Sequence, residues 1–295
     1  MPRLFSTALL LALLGATGFA FVITEGLKLE PSPVTKVFVT KIFSPTCECQ
    51  TDFALIHFRL RKADRVTLAI LGKGNRLVRT LVGPANHKKG TFTATWDGRD
   101  EDGAVAADGV YRARVHLRHR TILMPSRIRV DTTPPVVKLR HVGPRILKLG
   151  KRLKVRYLLN EPAQVYLFLN GRRVLFGASL RLKWKVEWQA RGRPGKYRLT
   201  VAARDVAGNL SNATPPVAIV IPLRVLTQRV QVRSGSRFAV RIQSDGRAYF
   251  WQLGNRGGFA SGRTLVLRAP PKPGRYTLVI RQDRLPHRVP VTVKR

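Results

Sequence analysis

The chain has 295 residues, 44% of them hydrophobic, which leaves room for two or three domains with real cores and excludes a disordered polycation. Its 54 Lys and Arg face 16 Asp and Glu, a formal net charge of +38. A field this one-sided attracts polyanions and is costly without counterions.

In chain order, Met1-Pro2-Arg3 opens an uncharged run from Leu4 to Thr24. As a helix this run covers about 31 Å, enough for a bilayer core. Arg3 precedes it, and Glu25, Lys28 and Glu30 follow with no net charge, so the N-terminus stays cytosolic and the rest is exported. Gly18-Phe19-Ala20 offers the small residues of a signal-peptidase site, with secretion after cleavage near Ala20. Phe21-Val22-Ile23 extend the apolar run past a usual signal core, which favours an uncleaved single-pass anchor in the cell membrane. Residues 1–33 therefore read as signal or anchor helix and stalk.

Beyond it the pattern is that of strands. Residues 34–131 alternate in Ala54–Leu60 and Val66–Leu71. Residues 132–221 repeat this in Leu153–Leu158 and Val165–Leu169, and residues 222–295 in Arg237–Ile242 and Ala248–Leu253. Each block joins two strands through a short polar turn: Lys62-Ala63-Asp64, Asn160-Glu161-Pro162, Ser244-Asp245-Gly246. Short period-two strands with frequent turn signals predict antiparallel sandwiches. Asp131-Thr132-Thr133-Pro134-Pro135 and Ala213-Thr214-Pro215-Pro216, with Pro222 beyond, mark semi-rigid seams. The predicted fold is all-β: three tandem sandwiches after a transmembrane or signal helix.

One phrase is written three times. It reads Asp108-Gly109-Val110-Tyr111, Pro194-Gly195-Lys196-Tyr197 and Pro273-Gly274-Arg275-Tyr276, each leading into an alternating strand. The tyrosines lie one small sandwich apart, and self-similarity at such a period sets architecture. The phrase fits the tyrosine corner of immunoglobulin-like (Ig-like) folds, which implies that Tyr111, Tyr197 and Tyr276 are structural pins bonding back across the preceding corner. Ala113, Leu199 and Leu278 stand where many such folds carry a disulfide cysteine, so the modules resemble bacterial Ig-like domains held by apolar packing. The first module is more specific. Phe43-Ser44-Pro45, the Ala54–Leu60 strand, Thr95-Trp96-Asp97-Gly98-Arg99-Asp100-Glu101-Asp102-Gly103 and Asp108–Tyr111 resemble the Ig-like domain of flagellar hook-capping proteins. The second, ending Ala202-Ala203-Arg204-Asp205-Val206-Ala207-Gly208-Asn209, is similar to bacterial surface Ig-like repeats. A membrane segment stands where a hook-capping protein would bind its hook, so the resemblance implies fold and not flagellar function.

Cys47 and Cys49 are the only cysteines. In an oxidising setting the pair could close a strained local disulfide, remain as thiols or pair between molecules; a metal site lacks further ligands nearby. Asp97, Asp100, Asp102 and Asp108 form an acidic cluster whose Asp-Gly pairs favour tight turns over calcium ligation. Gly72-Lys73-Gly74 lacks the remaining signature of a dinucleotide loop, the six histidines are dispersed, and no catalytic motif is present. The expectation is a non-enzyme without cofactor or metal.

Charge is distributed unevenly. Residues 35–131 carry 18 basic and 9 acidic residues, residues 132–221 carry 18 and 3, and residues 222–295 carry 16 and 2. Strand period predicts one basic face from Arg112, Arg114, His116, Arg118 and Arg120, opposite Tyr111, Ala113, Val115 and Leu117. It predicts a second from Arg181, Lys183 and Lys185, with Glu187, opposite Leu182, Trp184, Val186 and Trp188. In the third module Thr277 leads the outer face and Arg281 is assigned to the inner register. Anionic cell-wall polymer or membrane headgroups are the expected partners, with a protein partner gained by edge-strand addition as the alternative. Nucleic acid suits the charge, but the export signal argues against it, and no strand face is expected to join basic residues with exposed stacking aromatics. A cell-envelope spacer or binding protein is the leading functional expectation; a secreted accessory or sensory module comes second, and a wall hydrolase without motifs last.

Overall fold

A computed structural model describes residues 12–21, 31–177, 180–283 and 285–295. Residues 12–21 are helical, an advance of about 15 Å or half a bilayer core. The rest of the apolar run, with Arg3, Glu25, Lys28 and Glu30, lies outside the described residues. No described helix is long and apolar enough to cross a membrane, so the anchor expectation rests on the sequence run alone.

Among the described residues all remaining regular structure is strand, apart from one 3-10 turn at Lys73–Asn75. The chain divides into two compact units, residues 1–131 and 132–295. In the first, β1 (Val34–Val39), β2 (Ile42–Phe43), β3 (Ala54–Leu60), β4 (Asp64–Leu71), β5 (Leu77–His87), β6 (Gly90–Trp96), β7 (Gly109–His116) and β8 (Thr121–Val130) form two sheets, ordered β1-β3-β6 and β2-β8-β7-β4-β5. The second unit begins with β9 (Val137–Gly143), β10 (Arg152–Leu159), β11 (Ala163–Leu169), β12 (Arg172–Phe176), β13 (Lys183–Gln189), β14 (Gly195–Asp205) and β15 (Val217–Ile221), ordered β9-β10-β13 and β12-β11-β14-β15. It continues with β16 (Arg224–Val225), β17 (Val230–Arg233), β18 (Arg237–Gln243), β19 (Tyr249–Leu253), β20 (Arg256–Ala260), β21 (Thr264–Arg268), β22 (Gly274–Gln282) and β23 (Leu285–Lys294), ordered β16-β18-β21 and β17-β23-β22-β19-β20.

The same plan is executed three times. A three-stranded sheet faces a larger one, and the polar turns at 62–64, 160–162 and 244–246 each carry the chain from the smaller sheet to the larger: β3 to β4, β10 to β11, β18 to β19. Near the start of each sandwich a short segment pairs parallel with its last strand, as β2 with β8, Ile146 with Val220, and β17 with β23. That switch lets the first segment contribute to both sheets.

Alternation drives the packing. Ala54, Ile56, Phe58 and Leu60 point into one core, Leu153, Val155, Tyr157 and Leu159 into a second, and Phe238, Val240 and Ile242 into a third. Each fully buried Leu, Ile or Phe contributes about 1.5–3 kcal/mol. The corner tyrosines close the larger sheets identically. Tyr111, Tyr197 and Tyr276 donate their hydroxyls to the carbonyls of Ala107, Arg193 and Lys272, at 2.6, 2.6 and 2.9 Å.

The Thr95–Gly103 signature of the first sandwich is a turn knitted to the core. Trp96 is fully buried, lies edge-on to Phe43 at 5.6 Å, and donates its indole N–H to the Arg99 carbonyl at 2.8 Å. Gly98 sits at φ +73°, and a Cβ there would come within 2.7 Å of Pro45, so both conformation and space demand glycine. Asp100 uses one carboxylate oxygen to accept from the N–H groups of Asp102 and Ala104. Asp97 likewise accepts from the Arg99 N–H. Among the described residues no group of three or more His, Cys, Asp or Glu is arranged to hold a metal ion.

Candidate polyanion-binding surface

In a sheet, residues directly opposite one another share a face, so the registers show which cations stand together. On the larger sheet of the first sandwich, Arg112, Arg114 and His116 of β7 project outward. Arg112 is directly opposite Arg127 of β8, a like-charge pair that costs stability unless a counterion joins it. Arg129, on the same face, is held by Asp131 at 3.0 Å.

Arg118 and Arg120 do not extend this face. The strand ends at His116, and the chain turns over residues 117–120, closed by the Leu117 N–H donating to the Arg120 carbonyl at 2.8 Å. Asp64 accepts from the Arg118 N–H and fixes that turn beside the 62–64 turn. Arg120 instead lines a cleft of about 430 Å³ with His119, Arg61, Lys62, Asp64, Pro31 and Pro33. Arg61 ties the incoming chain there, its side chain donating to the Ser32 carbonyl and its N–H to the Pro33 carbonyl, both at 2.9 Å.

The smaller sheet of the second sandwich gathers a denser set. Lys185 of β13, Arg156 of β10 and His141 of β9 form one row across three strands. In the next row Lys154 is directly opposite Glu187, and Leu158 lies between Lys183 and Lys138. Glu187 is the one acid on these three strands, and it is shared by Arg152 at 3.2 Å and Lys185 at 3.9 Å. Lys183 and Lys185 are where the alternation put them. Arg152, Lys154 and Arg156 carry the same alternating signal on β10, but only the register reveals that the two strands make one face.

Three expectations for the strand faces change, two here and one in the third sandwich. Arg181 precedes β13 and its guanidinium lies over the Trp184 ring, 4.1 Å from the centroid. Leu182 and Trp184, expected inside, are 45% and 40% exposed, because the β13 end lies at the sheet margin; only Val186 and Trp188 enter the core. Arg281 belongs to the outer face of β22, since it alternates with buried Ile280 and Gln282.

The third sandwich also overturns the expectation that no basic face carries exposed aromatics. Phe259 of β20, Phe250 of β19 and Arg281 of β22 occupy one row across three adjacent strands. Its smaller sheet repeats the like-charge pairing, with Arg237 directly opposite Arg268.

His287 and Asp245 are perturbed in their titration and lie outside the rows just described. Burial and Lys148 push His287 below the usual imidazole range, in a cleft of about 340 Å³ lined by Lys148, Arg224 and Leu223. Its Nε2 is buried without a hydrogen-bond partner among the described residues. Burial would raise Asp245, but hydrogen bonds from Arg247 hold its carboxyl below the ordinary range. Arg247 also grips Asp283 with two bonds of 2.8 Å, so this network is used internally. Cys47 and Cys49 are joined as a disulfide with Cα atoms 5.1 Å apart, and Glu48 between them adopts φ +48°.

Residues 51–119 match the family described as the FlgD Ig-like domain. No curated protein matches the chain. Among solved structures, fibronectin(III)-like modules of Clostridium thermocellum CbhA align at 18% identity and a TM-score of 0.38, covering 63% of this chain and 94% of that one. An I-band fragment of titin aligns at 13% and 0.34, covering 90% and 99%. A chain from a structural study of a 1.5-MDa bacterial ice-binding adhesin aligns at 11% and 0.31, also covering 90% and 99%. At these values the likeness extends to no particular residue.

Proposed function

We propose that the chain is a non-enzymatic binding and spacer protein of the cell envelope, held by its N-terminal apolar segment and contacting anionic polymers through its outer sheet faces. Ig-like folds are typically non-catalytic, and their functions reside on surfaces and loops built over a fixed core. The observation that supports this reading most is the Lys185–Arg156–His141 row, flanked by Lys154 and Arg152 and served by the single acid Glu187. Directly opposed like charges are unfavourable in an isolated sheet, and a polyanion relieves them. The Arg61, Lys62, His119 and Arg120 cluster surrounds the point where the chain enters the first sandwich. With the apolar segment in a bilayer, these cations would face anionic headgroups.

The test is retention of the purified chain on isolated cell-wall material over a salt series. Release that steepens between low and physiological salt supports the reading; retention indifferent to ionic strength sinks it. Carbonate extraction of membranes tests the anchor separately. A protein partner is the second reading, favoured by β20, a strand at the sheet edge whose outward backbone groups could pair with an added strand.

A further inference from the structure

The outer aromatics of the second unit follow the internal repeat. Five residues after each corner tyrosine stand His116, Ala202 and Arg281. The strand next to that position presents Thr67, Tyr166 and Phe250 respectively. The edge strand then adds Phe176 opposite Tyr166 and Phe259 opposite Phe250. The second and third sandwiches therefore carry a two-ring platform at the same register, and the first does not.

Each platform is open and has a cation. Phe259 is 79% and Phe176 59% exposed, far beyond what packing of the sandwich requires. The Phe250 and Phe259 rings meet at 5.6 Å and 67°, an edge-on contact that braces one ring against the other. Gly257 makes the space, since a Cβ there would meet the Phe250 ring at 3.3 Å. Arg281 completes the row, and among the described residues no carboxylate lies within ion-pair distance of it. In the second sandwich Arg173 sits 5.7 Å from the Tyr166 ring centroid.

We infer that these platforms bind an anionic polysaccharide, the apolar face of a saccharide ring resting on the exposed edge-strand phenylalanine and its carboxylate or phosphate meeting the neighbouring arginine. In the third sandwich the three strands span roughly 10 Å, which separates the Phe259 ring and the Arg281 guanidinium by about a sugar and its substituent. Planar arginine suits bidentate capture of such acids. A single strand of nucleic acid stacks successive bases on successive rings, whereas an edge-on pair offers little continuous stacking surface. The inference rests on the polyanion reading above and names the polymer class and its site.

The experiment measures binding of the full chain and of its Phe259→Ala, Phe176→Ala and Arg281→Ala variants to polygalacturonate, inorganic polyphosphate and oligo-dT at matched charge and salt. Phe259 and Phe176 are exposed, so their loss leaves the cores intact, which circular dichroism checks. The expected result is about a ten-fold loss of polygalacturonate affinity for Phe259→Ala and Arg281→Ala, with polyphosphate binding of Phe259→Ala within two-fold of the parent. Unchanged polygalacturonate affinity in both phenylalanine variants overturns the platform while leaving the polyanion reading standing. Failure to bind any of the polymers overturns both. Tighter binding of oligo-dT that depends on Phe259 overturns the saccharide assignment in favour of nucleic acid.

Discussion

The smaller sheets of the first and second sandwiches are built alike and dressed differently. In the first, β3 and β6 turn Ala54, Ile56 and Phe58 inward, and their outer face carries Leu55, His57, Arg59 and the threonines 91, 93 and 95. In the second, β10 and β13 turn Leu153, Val155 and Tyr157 inward, and their outer face carries Arg152, Lys154, Arg156, Lys183 and Lys185. The threonines suit a solvated strand through their branched Cβ, and His57 bonds Thr93 at 3.1 Å. The basic residues add cross-strand repulsion instead. Burial thus constrains one face of a strand, while the other is free to accept charge at a cost in stability.

That contrast can be broken experimentally. The largest effect is expected on binding: Lys154→Glu with Arg156→Glu should lower affinity for polyphosphate about 10- to 100-fold at 50 mM salt, because two cations become two anions. Thr91→Glu with Thr93→Glu on the first sandwich should change it less than the basic-face pair, measured in the same titration. The basic-face pair changes the net charge by four units and the threonine pair by two. A basic-face loss no more than about twice the other on a logarithmic scale would mean that total charge, and not the assembled face, controls binding.

Stability should show the next effect. Tyr111→Phe removes the hydroxyl bond to Ala107 and should cost about 1 kcal/mol in urea unfolding of the first unit. Tyr197→Phe should cost less, its hydroxyl making the same bond in a more exposed setting. The reverse order would contradict the role assigned to burial.

Arg156→Thr transplants the neutral dressing onto the basic face and should raise stability at low salt by several tenths of a kcal/mol, a gain that added salt erases. A loss would show that Arg156 packs usefully despite the charge.

The smallest effect is on pH dependence. His287 titrates below its unfolded value because burial and Lys148 disfavour its charged form. The unfolded chain therefore takes up a proton first, and the second unit should lose stability as pH falls below about 6.5. Above that value both states are neutral at this position and the contribution vanishes. His287→Gln should flatten that limb of the urea midpoint against pH; an unaltered limb would assign it to other groups.

Strand periodicity was legible along much of the chain because apolar and polar residues alternate over the sandwiches, as in Ala54–Leu60 and Leu153–Leu159. The corner tyrosines were legible because the hydroxyl reaches a carbonyl only four residues back, a local geometry that a local phrase encodes. The limits of a face were not. Arg118 and Arg120 obey the same alternation as Arg112, yet the hairpin turn interrupts it, since a closing bond at Leu117 outweighs the period. Trp184 fails for a different reason: its strand end lies at the sheet margin, where the ring stays 40% exposed and packs under the Arg181 guanidinium rather than in the core.

By itself, then, the amino-acid order determined the all-β class, the three-fold recurrence of a corner and the apolar side of strands such as Ala54–Leu60 and Arg152–Leu159. These follow from φ/ψ preference and the two-residue period of side chains, both of which act over a few residues. Tertiary structure alone decided which strands are neighbours, and with that every row of side chains on which the proposed binding surfaces are built. Arg156 meets Lys185 across 29 residues of chain, and Phe250 meets Arg281 across 31, because hydrogen-bonded register, and not sequence distance, brings side chains onto a common face.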